Sequence, residues 1–263
     1  MRKMTKGKTA AILLGRKGSL GFPGKNVYKI MGRAAMEHPL LAANNSKYID
    51  KVYVSTDDAY IMSIGKKYGA ELISRPPELC TKQALFEDAL VHGYFEIKKR
   101  LGEAPNYLVI LMCNACQIDA AMIDEAIEKL EQDKNADSAV SVSIYNMWSP
   151  LRARKLNAEG YLDPFVPFET FGDPKTLNCD RDSQGNVYFA DMNLSVSRAR
   201  CLENIRGGLL PQKWMGKHIL PVLNCAGCDI DYEWQIPLVE FWLKKHGFTA
   251  GRTPYDKKPR KII

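Results

Sequence analysis

Two carboxylates stand two residues apart near the carboxyl end of the chain, in the motif Asp229-Ile230-Asp231. Alternate residues of an extended segment share a face, so Asp229 and Asp231 would project in the same direction. Such a pair suits Mg²⁺ or Mn²⁺, since hard cations take oxygen ligands and keep several waters. The alternative is a pair of acids at the amino end of the helix that we predict after them. The spacing favours a metal site that neutralises phosphate charge and aligns a phosphate for in-line attack.

A glycine-rich segment with a cation near each edge occupies residues 15–26 and follows a short apolar run. Its four glycines let the backbone N–H groups approach an anion closely. Arg16 and Lys25 could clamp a polyphosphate from two sides. The segment lacks both the Gly-Lys-Ser/Thr end of a Walker A loop and the Gly-x-Gly-x-x-Gly spacing of a dinucleotide site. It predicts a phosphate-binding loop, with a flexible surface turn as the alternative.

Two cysteine pairs have the spacing of half a zinc knuckle: Cys113-Asn-Ala-Cys116 and Cys225-Ala-Gly-Cys228. Each pair follows a predicted strand, and Cys228 directly precedes the acidic motif. If the two strand ends converge, four thiolates could hold a structural Zn²⁺. Ordinary reduced cysteines on neighbouring loops and a redox-switchable pair are the alternatives.

The elements that must position these groups alternate between strand and helix through the first half of the chain. Short apolar runs predict strands at 9–14, 51–55, 70–74, 107–111 and 138–143, and helical spacing predicts helices at 36–43, 59–68, 84–101 and 120–132. This order indicates an α/β fold, a Rossmann-like and mostly parallel sheet with helices on both faces. Ligands of such sheets bind at the carboxyl ends of the strands, where residues 15–26 begin.

The alternating pattern stops at residue 145. Residues 145–190 are rich in Pro, Asp, Gly and aromatic residues and have no clean period. We interpret them as an inserted lobe or dimerisation arm within a single domain spanning residues 1–263, because a structureless loop of that length is unusual in a compact domain. A local satellite core is the alternative. The main fold resumes with strands at 193–197 and 217–223 and a helix at 232–246.

Composition excludes several function classes. The 263 residues carry a net charge of +7, but the basic residues are scattered and not interleaved with aromatics, which argues against nucleic acid and suits an anionic small substrate. No apolar run is long enough to span a membrane. The apolar stretch at 9–14 is too short for a signal peptide, so we expect a soluble, cytoplasmic protein with reduced cysteines.

Five motifs in order along the chain resemble those of the sugar-acid cytidylyltransferases, the CMP-sialic acid synthetases and relatives acting on Kdo, legionaminic and pseudaminic acids. They are Arg16…Ser19…Gly21…Pro23…Lys25-Asn26, Val54-Ser-Thr-Asp57, Gly69-Ala70, Arg75-Pro-Pro-Glu-Leu79 and Asp229-Ile-Asp231. The resemblance implies a fold of the nucleotide-diphospho-sugar transferase type and a homodimer. It also implies transfer of CMP from CTP to the anomeric hydroxyl of a sugar acid, with release of pyrophosphate.

The resemblance assigns a role to each matching position. The catalytic candidates are Arg16, Lys25, Asp229 and Asp231. The nucleotide-binding candidates are Arg16, Gly18, Ser19, Lys25, Asn26 and Arg75. Asp229 and Asp231 would hold Mg²⁺ (or Mn²⁺), and the candidates for sugar binding are Asn114, Gln117, Arg181 and Asn193.

Two departures from the family pattern affect the function that we predict. Leu20 stands where relatives carry Lys or Arg, although Lys17 could replace that cation. Met112-Cys-Asn-Ala-Cys-Gln-Ile118 stands where relatives carry Gln-Pro-Thr-Ser-Pro-Leu-Arg, and the later Asn-Gly-Ala-Ile-Tyr segment is reduced to Asn193-Leu-Ser-Val-Ser. The acceptor half of the site is therefore altered more than the nucleotide half. The alternatives are a catalytically silent homologue that binds nucleotide or sugar, and a sugar nucleotidyltransferase that uses another nucleotide.

Overall fold

A computed structural model describes residues 8–18 and 21–256 of the chain. The strands in chain order are β1 (Thr9–Leu14), β2 (Lys29–Ile30), β3 (Arg33–Ala34), β4 (Lys51–Thr56), β5 (Glu71–Ser74), β6 (Tyr107–Met112), β7 (Ser138–Ile144), β8 (Arg154–Leu156), β9 (Leu162–Pro164), β10 (Tyr188–Arg198) and β11 (Ile219–Asn224). The α-helices are α1 (Glu37–Asn45), α2 (Ala59–Lys67), α3 (Phe86–Leu101), α4 (Ala120–Gln132), α5 (Ala199–Glu203) and α6 (Ile236–Lys245). None of the helices in this part of the chain has the length and apolar character needed to cross a membrane.

Seven strands form one sheet in the order β11-β7-β10-β6-β1-β4-β5. All neighbours are parallel except β10, which runs antiparallel to both β6 and β7. The chain moves outward from β1 through β4 to β5 and then returns to β6 on the other side of β1. This reversal makes the carboxyl ends of β1 and β6 a topological switch point, the place where open α/β sheets bind ligands.

Both faces of the sheet are covered, as the sequence predicts. All six residues of β1 are buried, and alternate ones face opposite sides. Leu13 packs into a core with residues of α1, α2, α4 and α6. Ile12 packs into a second core with residues of α3 and α5. Burial on both faces explains why the strand is a continuous apolar run in the sequence.

Residues 145–190 leave the sheet after β7 and return to it in β10. Within them β8 and β9 pair as a separate antiparallel hairpin, surrounded by single turns of 3₁₀ helix. Several large side chains of residues 145–190 are exposed, among them Trp148 at 64% and Tyr161 at 72% of full exposure. Satellite cores normally bury such residues, so this segment presents an apolar surface outward.

Candidate active site

A cavity of about 370 Å³ lies at the switch point. Its lining comes from the ends of β1 and β6, from residues 15–26, from the segment after β5 and from the start of α3. Residues of β10, of the 3₁₀ turn Lys213–Met215 and of the acidic motif complete it. The lining residues are Leu14, Gly15, Arg16, Lys25, Asn26, Arg75, Leu79, Ala84, Leu85, Phe86, Ala89, Met112, Asn114, Met192, Trp214 and Asp229. Six of the predicted site residues thus meet in one cavity: Arg16, Lys25, Asn26, Arg75, Asn114 and Asp229.

Hydrogen bonds hold the first part of the glycine-rich loop in place. The Arg16 guanidinium donates to the backbone carbonyl of Thr81, with Nη1 and oxygen 2.5 Å apart. The side-chain amide of Asn26 donates to the backbone carbonyl of Arg16 at 3.1 Å. The backbone N–H of Lys17 donates to the Asp57 carboxylate at 2.9 Å. The loop is therefore tied at both edges, with Arg16 directed along the cavity wall.

Lys25 links this loop to the acidic motif. Its ammonium group forms an ion pair with the Asp231 carboxylate, and the two side chains are 14% and 52% exposed. Gly21 also packs against this motif, since a Cβ added there would lie 2.9 Å from the Asp231 carbonyl oxygen. A cation and an anion of the candidate site therefore neutralise each other in the structure.

Asp229 sits deeper than Asp231, beside Asn114. The Asn114 side-chain amide donates to the Asp229 carboxylate at 3.4 Å and to the Ile230 carbonyl at 3.0 Å. The Ile230 N–H donates back to the Asn114 carbonyl at 3.0 Å. Burial raises the pKa of Asp229, and the negative charge of Asp231 raises it further. Two neighbouring carboxylates, one of them partly buried, are a donor set that fits a hard divalent cation.

Arg75 provides a buried positive charge at another wall of the cavity. Only 8% of the residue is exposed, and its guanidinium donates to the Ser55 carbonyl at 2.7 Å and to the Ser55 hydroxyl at 3.3 Å. Burial lowers the pKa of Arg75 from its ordinary value, yet a guanidinium keeps its proton in proteins. Among the ion pairs of residues 8–18 and 21–256, none involves Arg75. Its charge therefore suits an electron-rich ligand in the cavity.

Several predicted site residues lie elsewhere. Gly18 is on the loop with φ of +77° and open space where a side chain would be, whereas Ser19 and Leu20 lie outside the described residues. Arg181 is exposed and pairs with Asp182, away from the cavity.

Gln117 and Asn193, both predicted to bind sugar, are fully buried behind the cavity. Their side chains are engaged with backbone groups and with Asp191. The expectation that these two amides contact substrate directly is therefore corrected. The spacing in the sequence placed them near the strand ends, but it could not show on which side of the backbone they lie.

The predicted zinc site is not assembled. Cys113 and Cys116 are wholly buried in the core, whereas Cys225 is exposed. Burial raises the pKa of both Cys113 and Cys228 to about 12, so both thiols keep their protons at neutral pH when no cation is near. No group of three or more His, Cys, Asp or Glu side chains within residues 8–18 and 21–256 is arranged to hold a metal. Cys113 and Cys116 instead act as packing residues of the core, with Cys113 beneath Gly15.

Sequence reasoning missed the apolar wall of the cavity. Phe86 and Trp214 pack with their ring centroids 5.1 Å apart, and Met112 and Met192 lie on the same lining. Met192 adopts a φ of 64°, which is uncommon outside glycine. Met112 was visible as a change from the family pattern. Nothing local in the sequence marks Trp214, which lies in the single 3₁₀ turn Lys213–Met215 after α5.

Comparison with known proteins identifies the family of this chain. The sequence model of a family described as cytidylyltransferase matches residues 10–158. The N-acylneuraminate cytidylyltransferase of Escherichia coli is 33% identical over 86 residues, which are 33% of this chain and 20% of that protein. The pseudaminic acid cytidylyltransferase of Campylobacter jejuni is 25% identical over 128 residues, 49% of this chain and 55% of that protein. The alignments with these two relatives thus cover about a fifth and about half of their lengths.

Solved structures show the same fold. A CMP:2-keto-3-deoxy-manno-octonic acid synthetase complexed with CTP superposes with a TM-score of 0.64 at 16% identity, covering 90% of this chain and 99% of the other. A 4-diphosphocytidyl-2C-methyl-D-erythritol synthase gives a TM-score of 0.62 at 11% identity, covering 91% and 100%. The family match spans more than half of the chain, and its residues 10–158 contain the loop, the cations and most of the strand ends that form the cavity. The chain belongs to the cytidylyltransferase family.

Proposed function

We propose that the protein transfers CMP from CTP to the anomeric hydroxyl of a sugar acid of the nonulosonic type and releases pyrophosphate. The observation that carries the proposal is the cavity at the switch point. There Arg16, Lys25 and Arg75 supply positive charge, and Asp229 supplies a partly buried carboxylate. Membership of the family and the names of the relatives support the nucleotide and the acceptor class.

The reaction needs little covalent chemistry from the protein. The acceptor hydroxyl oxygen attacks the α-phosphorus of CTP, the bond to the β-phosphate oxygen breaks, and pyrophosphate leaves with that electron pair while the hydroxyl proton passes to solvent. Arg16 and Lys25 would bind the triphosphate and stabilise the charge that moves to the leaving group. Arg75 and Asn26 would lie on the nucleoside side. Catalysis would depend mainly on positioning and charge stabilisation.

Asp229 and Asp231 would hold Mg²⁺ (or Mn²⁺), which when bound supplies neutralisation of phosphate charge. The fit rests on the donor set, since burial and a neighbouring charge both disfavour the anionic form of Asp229 when no cation is near. Binding a cation would remove that penalty. Lys25, which pairs with Asp231 in the structure, would then be free to contact phosphate.

The quaternary structure and cell compartment that we propose follow the same assignment. We propose a cytoplasmic homodimer in which residues 145–190 form the contact between subunits. The exposed apolar side chains Trp148, Tyr161 and Phe165 support this role. Sedimentation equilibrium of the double variant Trp148→Ser, Tyr161→Ser tests it. The variant should dissociate at concentrations where the wild type is dimeric, and a monomeric wild type would refute the proposal.

The function is tested by pyrophosphate release with CTP, Mg²⁺ and a panel of acceptors that includes sialic, legionaminic, pseudaminic and 3-deoxy-manno-octulosonic acids. Asp229→Asn should abolish release. Glu103→Gln is the matched control, because Glu103 pairs with Lys8 at the amino end of β1, at the opposite edge of the sheet. Release that requires CTP and one acceptor, is lost in Asp229→Asn and is kept in Glu103→Gln would support the proposal.

Two other outcomes discriminate the alternatives. CTP binding without release for any acceptor would favour a catalytically silent homologue, an alternative suggested by Leu20 and by the altered Met112–Ile118 region. Tighter binding of UTP, ATP or a nucleotide sugar than of CTP would favour a different sugar nucleotidyltransferase.

A further inference from the structure

A buried polar network lies behind the candidate active site, beneath the loop of residues 224–228 that joins β11 to Asp229. Its members are fully or almost fully buried, and none lines the cavity: Gln117, Ser141, Ser143, Asp191 and Asn193. Buried polar side chains are costly unless their hydrogen bonds are satisfied, so such a network must serve the structure around it. Its contacts show that it holds the loop.

Gln117 uses both ends of its amide on this loop. Its Nε2 donates to the Ala226 carbonyl at 2.6 Å, and its Oε1 accepts from the Cys228 N–H at 2.8 Å. The side chain of Asn224 donates to the Gln117 backbone carbonyl at 3.1 Å. One buried residue thus contacts the loop at three points.

Asp191 holds the loop through a serine. The Ser143 hydroxyl donates to the Asp191 carboxylate at 2.8 Å and accepts from the Gly227 N–H at 2.9 Å. The Ser141 hydroxyl and the backbone N–H of Asn193 also donate to this carboxylate. Hydrogen bonds to a carboxylate are stronger than hydrogen bonds between neutral groups. Asp191 therefore fixes the Ser143 hydroxyl, and that hydroxyl holds the backbone of Gly227.

The loop itself has an unusual shape that these contacts must maintain. Ala226 has a φ of 57°, a conformation that side chains other than glycine rarely adopt. Gly227 approaches so closely that an added Cβ would lie 2.5 Å from the Asp191 carboxyl carbon and 2.6 Å from Asn224 Nδ2. Tyr145 adds a hydrogen bond from its hydroxyl to the Gly227 carbonyl at 3.0 Å. Strained segments persist where their surroundings fix them from several sides.

We propose that Gln117 and Asp191 are positioning residues that fix residues 224–228 and thereby aim Asp229 into the cavity. The inference rests on the proposed function, because it concerns the carboxylate that would bind the metal. Neither residue lines the cavity. Each acts through backbone groups one to three residues before Asp229. Groups that orient a metal ligand from behind typically change metal affinity by 10–100-fold when removed.

Two variants test the inference, with a matched control on the same strand. Ser143→Ala cuts the path from Asp191 to Gly227. Gln117→Met keeps the length of the side chain and removes its hydrogen bonds. Ser138→Ala is the control, because Ser138 is also a buried serine of β7 but donates to the Met215 carbonyl at 2.6 Å, at the other end of the strand.

Two quantities are measured that do not depend on turnover. One is the dissociation constant of Mn²⁺ in the presence of CTP, from water-proton relaxation. The other is the rate of amide hydrogen exchange in residues 224–229, from mass spectrometry. Both Ser143→Ala and Gln117→Met should raise the Mn²⁺ dissociation constant by about tenfold or more and speed exchange in the loop. Ser138→Ala should match the wild type in both.

Either of two results would overturn the inference. Faster exchange with wild-type Mn²⁺ affinity would mean that the network supports the loop without placing Asp229. Unchanged exchange in both variants would mean that other contacts hold the loop. Failure of the proposed function is seen separately, before any variant is made, as a wild type that binds no Mn²⁺ with CTP.

Discussion

The contact between Gly15 and Cys113 yields a prediction whose size follows from the structure. Gly15 begins the glycine-rich loop, and Cys113 lies buried beneath it. A Cβ added at Gly15 would lie 3.0 Å from the Cβ of Cys113 and closer still to its sulfur. Optimal separations of such atoms are about 3.5–4.0 Å. We therefore expect Gly15→Ala to lower the free energy of unfolding by about 1–3 kcal/mol, the usual cost of overpacking.

The double variant Gly15→Ala, Cys113→Ala provides the decisive comparison. Cys113→Ala alone removes one buried atom and should cost about 1 kcal/mol. In the double variant the new methyl group enters the space that the sulfur leaves. The total loss should therefore fall short of the sum of the single losses by about 1–2 kcal/mol, as for residues in direct contact.

Urea unfolding followed by circular dichroism measures these energies, provided that the slope with denaturant stays constant among the variants. The control combines Gly15→Ala with a change at a different cysteine, Cys201. This buried cysteine of α5 packs on the other face of the sheet. Gly15→Ala combined with Cys201→Ala should be additive within about 0.5 kcal/mol. Additive losses for Gly15 and Cys113 as well would refute the close packing described above.

Three further predictions concern charge. Arg16→Lys keeps the charge but loses the planar fork, so the dissociation constant of CTP should rise by about 10–100-fold in calorimetry; an unchanged constant would remove Arg16 from the triphosphate site. Asp231→Asn breaks the partly exposed ion pair with Lys25, so the free energy of unfolding should change by less than about 1 kcal/mol. Pyrophosphate release by the same variant should fall by about two orders of magnitude. Parallel losses of stability and activity would contradict this prediction. Burial lowers the pKa of His38 to about 4 from 6.5. Between these two pH values the His38 imidazole is therefore protonated in the unfolded state and neutral in the folded state. The free energy of unfolding should fall by about 2–3 kcal/mol from pH 6.5 to pH 4. Denaturant titrations across this range should show a much flatter dependence for His38→Gln, and parallel curves would refute the assignment.

Most of the sheet could be predicted from the sequence because buried strands and amphipathic helices have different periods. The helix Ala120–Gln132 and the strand Thr9–Leu14 have the predicted bounds. The strand predicted at 193–197 proved longer, Tyr188–Arg198, and antiparallel to its neighbours. A run of apolar residues records burial but carries no sign of strand direction, which depends on the connection that precedes it.

The candidate site could likewise be predicted from the sequence only in part. Residues within one loop, such as Arg16 and Lys25, could be placed together because the chain itself joins them. Asp229 is far from them in the sequence and reaches the same cavity through the sheet topology. The resemblance to the family had already assigned it to the same site. The buried positions of Gln117 and Asn193 and the different exposure of Cys113 and Cys225 depend on side-chain direction at the strand ends. Spacing along the chain does not encode that direction.

The ion pair between Lys25 and Asp231 has a consequence for the order in which ligands bind. With neither ligand present the two charges satisfy each other. A triphosphate that takes Lys25 leaves Asp231 without its counter-ion and so raises its attraction for a cation. A cation that takes Asp231 releases Lys25 for phosphate in the same way. If Lys25 binds the triphosphate and Asp231 binds the cation, as proposed, the pair is broken only once, and each ligand raises the affinity for the other by an equal factor. We therefore expect nucleotide and metal to bind with positive cooperativity.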